Sequence, residues 1–161
     1  REKADKLADE MEETVRVRTK ELLRSTERFK FLADNSPVII WTSEPDGSAN
    51  YFNKLWCEYT GLTVEESRGS GSQQVLHPDD HESTVIAWTN ALKNQTPFRF
   101  EYRIKRAADN QYRWHFGTGV PFKDEAGNTI GWIGTATDIE NQKKEIGSTN
   151  LYTVNHYRYI T

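Results

Sequence analysis

Two histidines four residues apart are the first candidates for chemistry in this sequence. His77 and His81 are separated by Pro78, Asp79 and Asp80. On a helix, a spacing of four residues can place two metal ligands on one face. Proline, however, favours the first position of a helix, so we expect His77 to lie at a helix cap. We therefore predict that a helix begins at this segment and that it holds no metal.

Cys57 is the single cysteine of the chain. One cysteine excludes a disulfide within the chain and a zinc site built from several cysteines. We expect Cys57 to be a small apolar packing residue.

The sequence contains no common catalytic motif. It has no Walker loop, no His-Glu-x-x-His and no Gly-x-Ser-x-Gly. Acid–base chemistry in a small α+β domain would need a carboxylate among the apolar residues of its sheet. The residues that share the parity of the aromatic set between Phe98 and Phe122 include no Asp or Glu. We therefore expect the chain to have no catalytic activity of its own.

All Phe, Tyr and Trp residues lie from Phe29 onward, so the rest of the chain is expected to form a globular domain with an aromatic core. Trp88, Tyr102, Trp114 and Trp132 could stack on a flavin or another aromatic ligand. Aromatic residues of a small α+β domain more commonly form its core, and the sequence leaves both interpretations open.

The 161 residues carry a formal net charge of −3, and the pI is about 5.8. This balance argues against a nucleic-acid-binding surface, which requires clustered Lys and Arg. No apolar run reaches the roughly 18 residues that cross a bilayer, and no signal peptide is visible. We expect a cytoplasmic domain that is a fragment of a longer protein, because the chain begins at Arg1. Any membrane anchor would lie outside the fragment.

Residues 2–34 contain no Pro or Gly and are rich in helix-forming residues. Their apolar stripe is narrow and follows a heptad repeat, which is typical of a coiled coil. We predict a parallel homodimer, and a single solvated helix folded back on its own domain is the alternative. Arg18 and Ser25 are polar positions that weaken the seam locally. The seam positions are Ala8, Met11, Val15, Arg18, Leu22, Ser25, Phe29 and Leu32.

The remaining sequence predicts two strands, several short helices, a longer helix and a three-stranded meander. The strands after Phe98 alternate apolar and polar residues with a period of two, which is typical of a half-buried sheet. If the apolar sets share a face, Tyr102 pairs with Trp114 and Val120 lies near Trp132. His115 then lies on the charged face, either exposed or paired with Glu101. The order of elements indicates an α+β fold.

Several segments together resemble the PAS domains of bacterial sensor histidine kinases, diguanylate cyclases and chemoreceptors. Their joint order and spacing carry the resemblance, which covers roughly residues 29–140. The PAS pattern usually ends its last strand in Asp-Ile-Thr, where this chain has Glu140 in place of Thr. The segments are 29–37, Pro45-Asp-Gly47, Tyr51-Phe-Asn-Lys54, Tyr59-Thr-Gly61, His77-Pro-Asp-Asp80, Phe100-Glu-Tyr-Arg103, Tyr112-Arg-Trp114 and 131–139.

The resemblance implies a PAS fold, a five-stranded antiparallel sheet with helices on one face that enclose a cavity. It implies a signalling module whose first helix packs on the outer sheet face or pairs with a partner chain, and whose exit helix leads to an effector domain. Asp138 and Ile139 would relay the signal to that helix. A small-molecule ligand or no ligand is expected, with haem or flavin as the alternative. Cys57 is not in the flavin-photoreceptor motif Gly-x-Asn-Cys-Arg-Phe-Leu. Candidates for the ligand pocket are Ile40, Phe52, Tyr59, Val85, Trp88, Phe100, Tyr102, Trp114, Phe116 and Ile133.

The predicted organisation therefore has four parts: an N-terminal signalling helix (1–35), the PAS domain (36–140), an exit linker helix (141–147) and a tail (148–161). Residues 151–160 have high strand propensity and a single charged residue, Arg158, so the tail is not expected to continue the helix.

Overall fold

The structure of the protein, a computed structural model, describes residues 1–157. The chain divides into two compact units, residues 1–36 and the remainder. The first unit is a single helix, α1 (Glu2–Asp34), which confirms the helix predicted from the absence of Pro and Gly. Apolar seam residues of this helix such as Met11 and Leu22 are exposed in the described chain. No helix among the described residues is both long and apolar enough to cross a membrane.

The second unit contains a five-stranded antiparallel sheet with the order β2-β1-β5-β4-β3. Helices α2 to α4 lie between β2 and β3 in sequence, and α5 follows β5, so the predicted α+β architecture is confirmed. Two short 3₁₀ helices, Gly71–Val75 and Pro78–Asp80, precede α4. The elements are β1 (Ile39–Ser43), β2 (Ala49–Phe52), α2 (Lys54–Thr60), α3 (Val64–Ser67), α4 (His81–Asn94), β3 (Phe98–Arg106), β4 (Gln111–Lys123), β5 (Thr129–Asp138) and α5 (Glu140–Tyr157).

The short helices begin and end at the residues that their sequences predict. The Asn53 side chain accepts a hydrogen bond from the Trp56 amide at the start of α2, and Gly61 ends α2 with a φ of 75°. Thr63 and Glu66 form the capping box of α3. These caps fix short helices that would not be stable in isolation.

The predicted register of the meander is wrong by one residue. Tyr102 pairs with His115 rather than Trp114, and Val120 pairs with Ile133 rather than Trp132. A one-residue shift moves every side chain of a strand to the other face. The aromatic set of β4 therefore lies on the outer face of the sheet, which is the face away from α2 to α4.

Glycines explain this register. The inner face of the sheet, which faces α2 to α4, receives Gly117 and Gly119 from β4 and Gly134 from β5. A Cβ at Gly117 would collide with the Tyr102 ring, and a Cβ at Gly119 or Gly134 would collide with the Trp41 ring. The aromatic side chains of β4 cannot occupy this space, so they lie on the outer face.

Helix α5 runs through residues 140–157, so the expectation that the tail breaks the helix after residue 147 is wrong over 148–157. Helix geometry satisfies backbone hydrogen bonds within the segment, and this requirement outweighs the strand propensity of its side chains. Residues 158–161 lie outside the described residues.

Candidate ligand cavity and exit junction

Two aromatic rings form the floor of a cavity on the inner face of the sheet. Trp41 of β1 covers Gly119 and Gly134, and Tyr102 of β3 covers Gly117. Each ring replaces the side chain that its glycine lacks, so each lies close against the backbone of the neighbouring strands. The cavity floor, Trp41 and Tyr102, is therefore a surface of π systems.

Trp88 of α4 faces this floor. Its ring centroid is 5.4 Å from that of Trp41, 5.3 Å from that of Phe98 and 5.1 Å from that of Trp132, all in edge-to-face geometry. On the other side of the cavity, Phe52 and Trp56 stack with their centroids 4.5 Å apart. Such perpendicular and stacked pairs stabilise a core beyond the effect of burial alone.

The cavity has a volume of about 370 Å³ and is bounded by β1, β2, α2, α4, β3 and β5 together with the segments 46–48 and 69–76. Its exposed lining residues, Asp46, Ser48, Gly69, Ser70 and Val85, form the cavity mouth. A backbone hydrogen bond of 2.8 Å from Gly69 N to Ala49 O joins two segments of the mouth. In the described chain, the Thr84 hydroxyl of the lining is inaccessible to solvent and has no hydrogen-bond partner.

The sequence-based candidates for the pocket divide between the two faces of the sheet. Phe52, Val85, Trp88 and Tyr102 line the cavity. Phe100 packs beside Phe98 on the inner face without lining the cavity. Tyr59 of α2 does not line the cavity either, and its hydroxyl binds Asp138 at the end of β5. The other candidates do not line the cavity, because the register places them on the outer face: Ile40, Trp114, Phe116 and Ile133.

Sequence reasoning missed Trp41, Trp56 and Phe98 as lining residues. The glycines of β4 and β5 were the available signal for Trp41. Glycine in a strand often marks the close approach of another group, and the approaching groups here are aromatic rings of neighbouring strands.

The lining does not fit haem or a flavin nucleotide. Among the lining residues, all of them within the described chain, there is no His, Cys or Met to serve as an axial haem ligand, and burial raises the pKa of the Tyr102 phenol, which opposes a tyrosinate ligand. The same lining contains no Lys or Arg to pair with the phosphate of a flavin nucleotide or with a haem propionate.

At the end of β5, one carboxylate joins three elements. Asp138 receives two hydrogen bonds from the Arg113 guanidinium of β4, at 2.6 and 3.2 Å. It also accepts bonds from the Tyr59 hydroxyl of α2 at 3.0 Å and from the Glu140 amide of α5 at 3.0 Å. We call Tyr59, Arg113, Asp138 and Glu140 the exit junction.

Charge and burial act in opposite directions at the exit junction. Burial raises the pKa of Asp138, but the hydrogen bonds from Arg113, from the Glu140 amide and from Tyr59 outweigh it, so the net pKa is lowered. Burial and the negative charge of Asp138 raise the pKa of Tyr59. Asp138 is therefore ionised and Tyr59 is a neutral donor at neutral pH.

Helix α5 is attached to β4 through both backbone groups of Trp114. The Ile139 amide donates to Trp114 O at 2.8 Å, and the Trp114 amide donates to the Glu140 carboxylate at 2.8 Å. One turn later, the Lys143 ammonium lies 4.2 Å from the Trp114 ring centroid and 2.7 Å from the Glu101 carboxylate. The first turn of α5 is thus held by hydrogen bonds, an ion pair and a cation–π contact.

His115 is fully buried, so the prediction of an exposed His115 or of a pair with Glu101 is wrong. The corrected register places it on the inner face, edge-to-face with Tyr59 at a centroid distance of 5.1 Å. Its Nδ1 lies 2.9 Å from Arg113 O, and its Nε2 has no partner in the described chain. Burial lowers the pKa of His115.

The segment that begins at His77 is a helix start, as the sequence predicted. The His77 Nδ1 accepts a hydrogen bond from the Asp79 amide at 3.1 Å, and Asp80 binds the Arg103 guanidinium at 2.8 Å. No group of three His, Cys, Asp or Glu residues is arranged to hold a metal ion in the described part of the chain. Cys57 is half-buried and packs against the core cluster that contains Phe52.

Comparison with known proteins assigns this architecture to a family. A family profile described as PAS fold matches residues 49–136. The uncharacterized protein y4lL of Sinorhizobium fredii is 36% identical over 122 residues, which are 76% of this chain and 15% of that protein. The chain belongs to the PAS family.

A fungal relative and two solved structures extend the comparison. The peroxide stress-activated histidine kinase mak1 of Schizosaccharomyces pombe is 29% identical over 134 residues, 81% of this chain and 8% of the kinase. A sensory box histidine kinase/response regulator structure from Burkholderia thailandensis has a TM-score of 0.59 at 19% identity and covers 81% of this chain and 98% of that one. An RNA-binding light-oxygen-voltage receptor has a TM-score of 0.63 at 21% identity, over 83% of this chain and 39% of the receptor. The chain is a PAS domain homologous to a segment of histidine kinases, and it spans only a small part of these curated relatives.

Proposed function

We propose that this chain is a sensory module in which the occupancy of the cavity changes the attachment of α5 to the sheet. The observation that carries the proposal is the Asp138 carboxylate, which binds α2, β4 and α5 at once. A carboxylate with partners on three elements responds to the relative movement of any of them.

The cavity and the exit junction share two strands, which gives the signal a path. Ala136 lines the cavity, and Asp138 lies two residues further along β5 on the same face, about 7 Å away. Tyr102 of the cavity floor pairs with His115, which in turn pairs with Asp138. A ligand that displaces β5 or Tyr102 therefore displaces the partners of Asp138.

The first turn of α5 is the element whose state would change. Its contacts to Trp114 and Glu101 are polar and partly exposed, so they can exchange with water at a modest free-energy cost. A sensor requires an element with two arrangements that a ligand distinguishes. We place that element at residues 139–147.

The proposal extends to the protein that contains this domain. An effector domain in the same chain, such as the kinase of the relatives, would follow α5. We expect the chain itself to carry no catalysis; the Asp138 carboxylate on the inner sheet face is engaged by Arg113 and is not available as a base. It would work in the cytoplasm, without nucleic acid, and any membrane attachment would lie elsewhere in the protein.

The test fills part of the cavity with a larger side chain and measures amide hydrogen exchange in the first turns of α5. Thr84→Leu removes the unpartnered hydroxyl and adds apolar volume to the cavity, and Thr89→Leu makes the same change at an exposed position of the same helix. We expect Thr84→Leu to change the hydrogen-exchange rates of amides 140–147 in the full chain, and Thr89→Leu to leave them unchanged. In an Asp138→Asn background the effect of Thr84→Leu should disappear. Equal responses to the two leucine variants, or a response that survives Asp138→Asn, would overturn the proposal.

We propose further that α1 forms a parallel homodimer through its exposed seam, which includes Met11, Val15 and Leu22. Val15→Glu should weaken the dimer, and Arg18→Leu should strengthen it, because a charge is added to the seam in one case and removed in the other. Sedimentation velocity across a concentration series measures both effects. A monomer at tens of micromolar for the unsubstituted chain would contradict the proposal.

A further inference from the structure

The charge of the cavity lining is unbalanced. Asp46 is the only charged residue among the lining residues of the described chain, and it lies at the cavity mouth. Its Oδ1 accepts a hydrogen bond from the Ser48 amide at 2.8 Å, so the carboxylate is oriented by the turn between β1 and β2. The other polar side chains of the lining are neutral: the hydroxyls of Ser48, Ser70, Ser72, Thr84 and Tyr102, the amide of Gln73 and the indole N–H groups of Trp41, Trp56 and Trp88.

Below the mouth, the cavity presents π systems. Trp41 and Tyr102 lie over glycines of the sheet, and both rings line the cavity. Trp88 stands perpendicular to Trp41 at an interplanar angle of 86°. The face of an aromatic ring carries a negative quadrupole potential, which attracts a cation within about 6 Å of the ring centroid.

The Asp46 carboxylate and the aromatic rings both favour a positively charged ligand. We infer that the cavity takes an organic cation, a protonated or quaternary amine with an apolar or aromatic substituent, whose charge is held between the cavity floor and the Asp46 carboxylate. Anionic ligands are disfavoured, because no cationic lining side chain would compensate for their desolvation. The inference rests on the proposed sensory role, since it names the class of ligand that the sensor would detect.

The volume fits such a ligand. A cavity of about 370 Å³ is at the lower end of the roughly 300–1,000 Å³ range of small-molecule sites. Benzyltrimethylammonium has few atoms and only two rotatable bonds between its ring and its charged head, so it loses little conformational entropy on binding.

The first experiment compares three probes of similar shape that differ in charge. Benzyltrimethylammonium, its uncharged carbon isostere neopentylbenzene, and phenylacetate are titrated into the full chain, with tryptophan fluorescence and calorimetry as readouts. We expect the cation to bind about tenfold more tightly than either of the others, which corresponds to a desolvated cation–π contact. Equal or tighter binding of the neutral or the anionic probe would overturn the inference, as would no binding of the cation.

The second experiment assigns the binding to named residues. Tyr102→Phe keeps the ring face and should leave the affinity for the cation within about twofold, whereas Tyr102→Leu removes the face and should weaken it by about fivefold. Asp46→Asn keeps an acceptor for the Ser48 amide but removes the charge. It should weaken binding of the cation by about threefold at low salt and leave the affinity for neopentylbenzene unchanged. Glu44→Gln, in the same turn but outside the lining, is the control. Cation affinity unchanged in both Tyr102→Leu and Asp46→Asn would place the cation elsewhere and overturn the inference.

The outcome separates this inference from the sensory proposal. If benzyltrimethylammonium does not bind while Thr84→Leu still changes hydrogen exchange in α5, the ligand class is wrong and the sensory role stands. If the cation binds with the expected selectivity but α5 does not respond to it or to Thr84→Leu, the ligand class stands and the sensory role fails.

Discussion

The two ends of the inner sheet face are built from the same strands but from opposite chemistry. At one end, Trp41, Tyr102 and Trp88 surround a cavity with few polar contacts. At the other, Asp138 is bound by Arg113 and Tyr59. On β5, the change from one to the other occurs between Ala136 and Asp138.

This difference suggests a division of labour. Burial of apolar surface is non-directional, so the cavity end can accept a ligand and adjust to it. Charge-assisted hydrogen bonds are directional and short, so a small displacement at the exit junction changes which bonds are made. One end is suited to receive a perturbation, and the other is suited to convert it into a change of bonding.

The largest expected effect on stability is at the cavity end of the inner sheet face. Trp132 is 1% exposed and contacts Trp88, so Trp132→Ala should lower the free energy of unfolding by about 3–5 kcal/mol. Phe122 is 57% exposed on the outer face of the same sheet, and Phe122→Ala is the matched control, with an expected loss below about 1 kcal/mol. Denaturant unfolding measures both, and similar losses would mean that the inner face is not the principal core.

A smaller effect is expected at the exit junction. Asp138→Asn weakens the bonds to Arg113, and we expect a loss of roughly 1–3 kcal/mol at pH 7. The folded-state pKa of Asp138 is lowered, so its stabilising contribution is present above about pH 4 and is lost as the pH falls through that lowered pKa.

The pH series provides the check on this prediction. Unfolding free energy measured between pH 7 and pH 3 should fall less steeply for Asp138→Asn than for the unsubstituted chain. Glu125→Gln, at an exposed position of the turn between β4 and β5, should retain the original slope. Parallel slopes for all three proteins would show that the Asp138 bonds do not stabilise the folded domain.

The smallest effect belongs to His115, which lies between the two ends. Burial lowers its pKa, while Arg113, Asp138 and Glu140 act on it through charge. Because the folded-state pKa is depressed, stability should fall as the pH drops below about 6.5, where the unfolded chain takes up the proton. His115→Phe should remove this dependence between pH 7 and pH 5, and His81→Gln at the start of α4 should not. Persistence of the dependence in His115→Phe would assign it to another group.

Local signals in the sequence predicted the elements well. Asn53, Gly61 and the Thr63–Glu66 box fixed the short helices, because caps act through neighbouring backbone groups. The order of elements and the joint spacing of the motifs predicted the sheet and the PAS family. Each cap depends on residues close together in the chain, and the family resemblance depends only on the order and spacing of such local segments.

The register of the meander could not be read in the same way. It depends on where Trp41 and Tyr102 lie over glycines of strands that are distant in sequence. Apolar parity alone assumed that every aromatic residue of β4 faces the core, which placed His115 outside and Trp114 and Phe116 inside. Tertiary packing decided the face, and the whole aromatic set of β4 lies on the outer face as a result.

The glycines under the cavity floor also constrain how this domain can diverge. A Cβ at position 134 would collide with the Thr118 carbonyl oxygen as well as with Trp41, so no change of side chain at 41 makes room for it. A Cβ at position 119 would collide only with the Trp41 ring, so an alanine there requires a smaller residue at 41. Lineages that alter what the domain recognises should therefore exchange residues 41 and 119 together while keeping glycine at 134, and covariation between 41 and 119 across relatives would record that history.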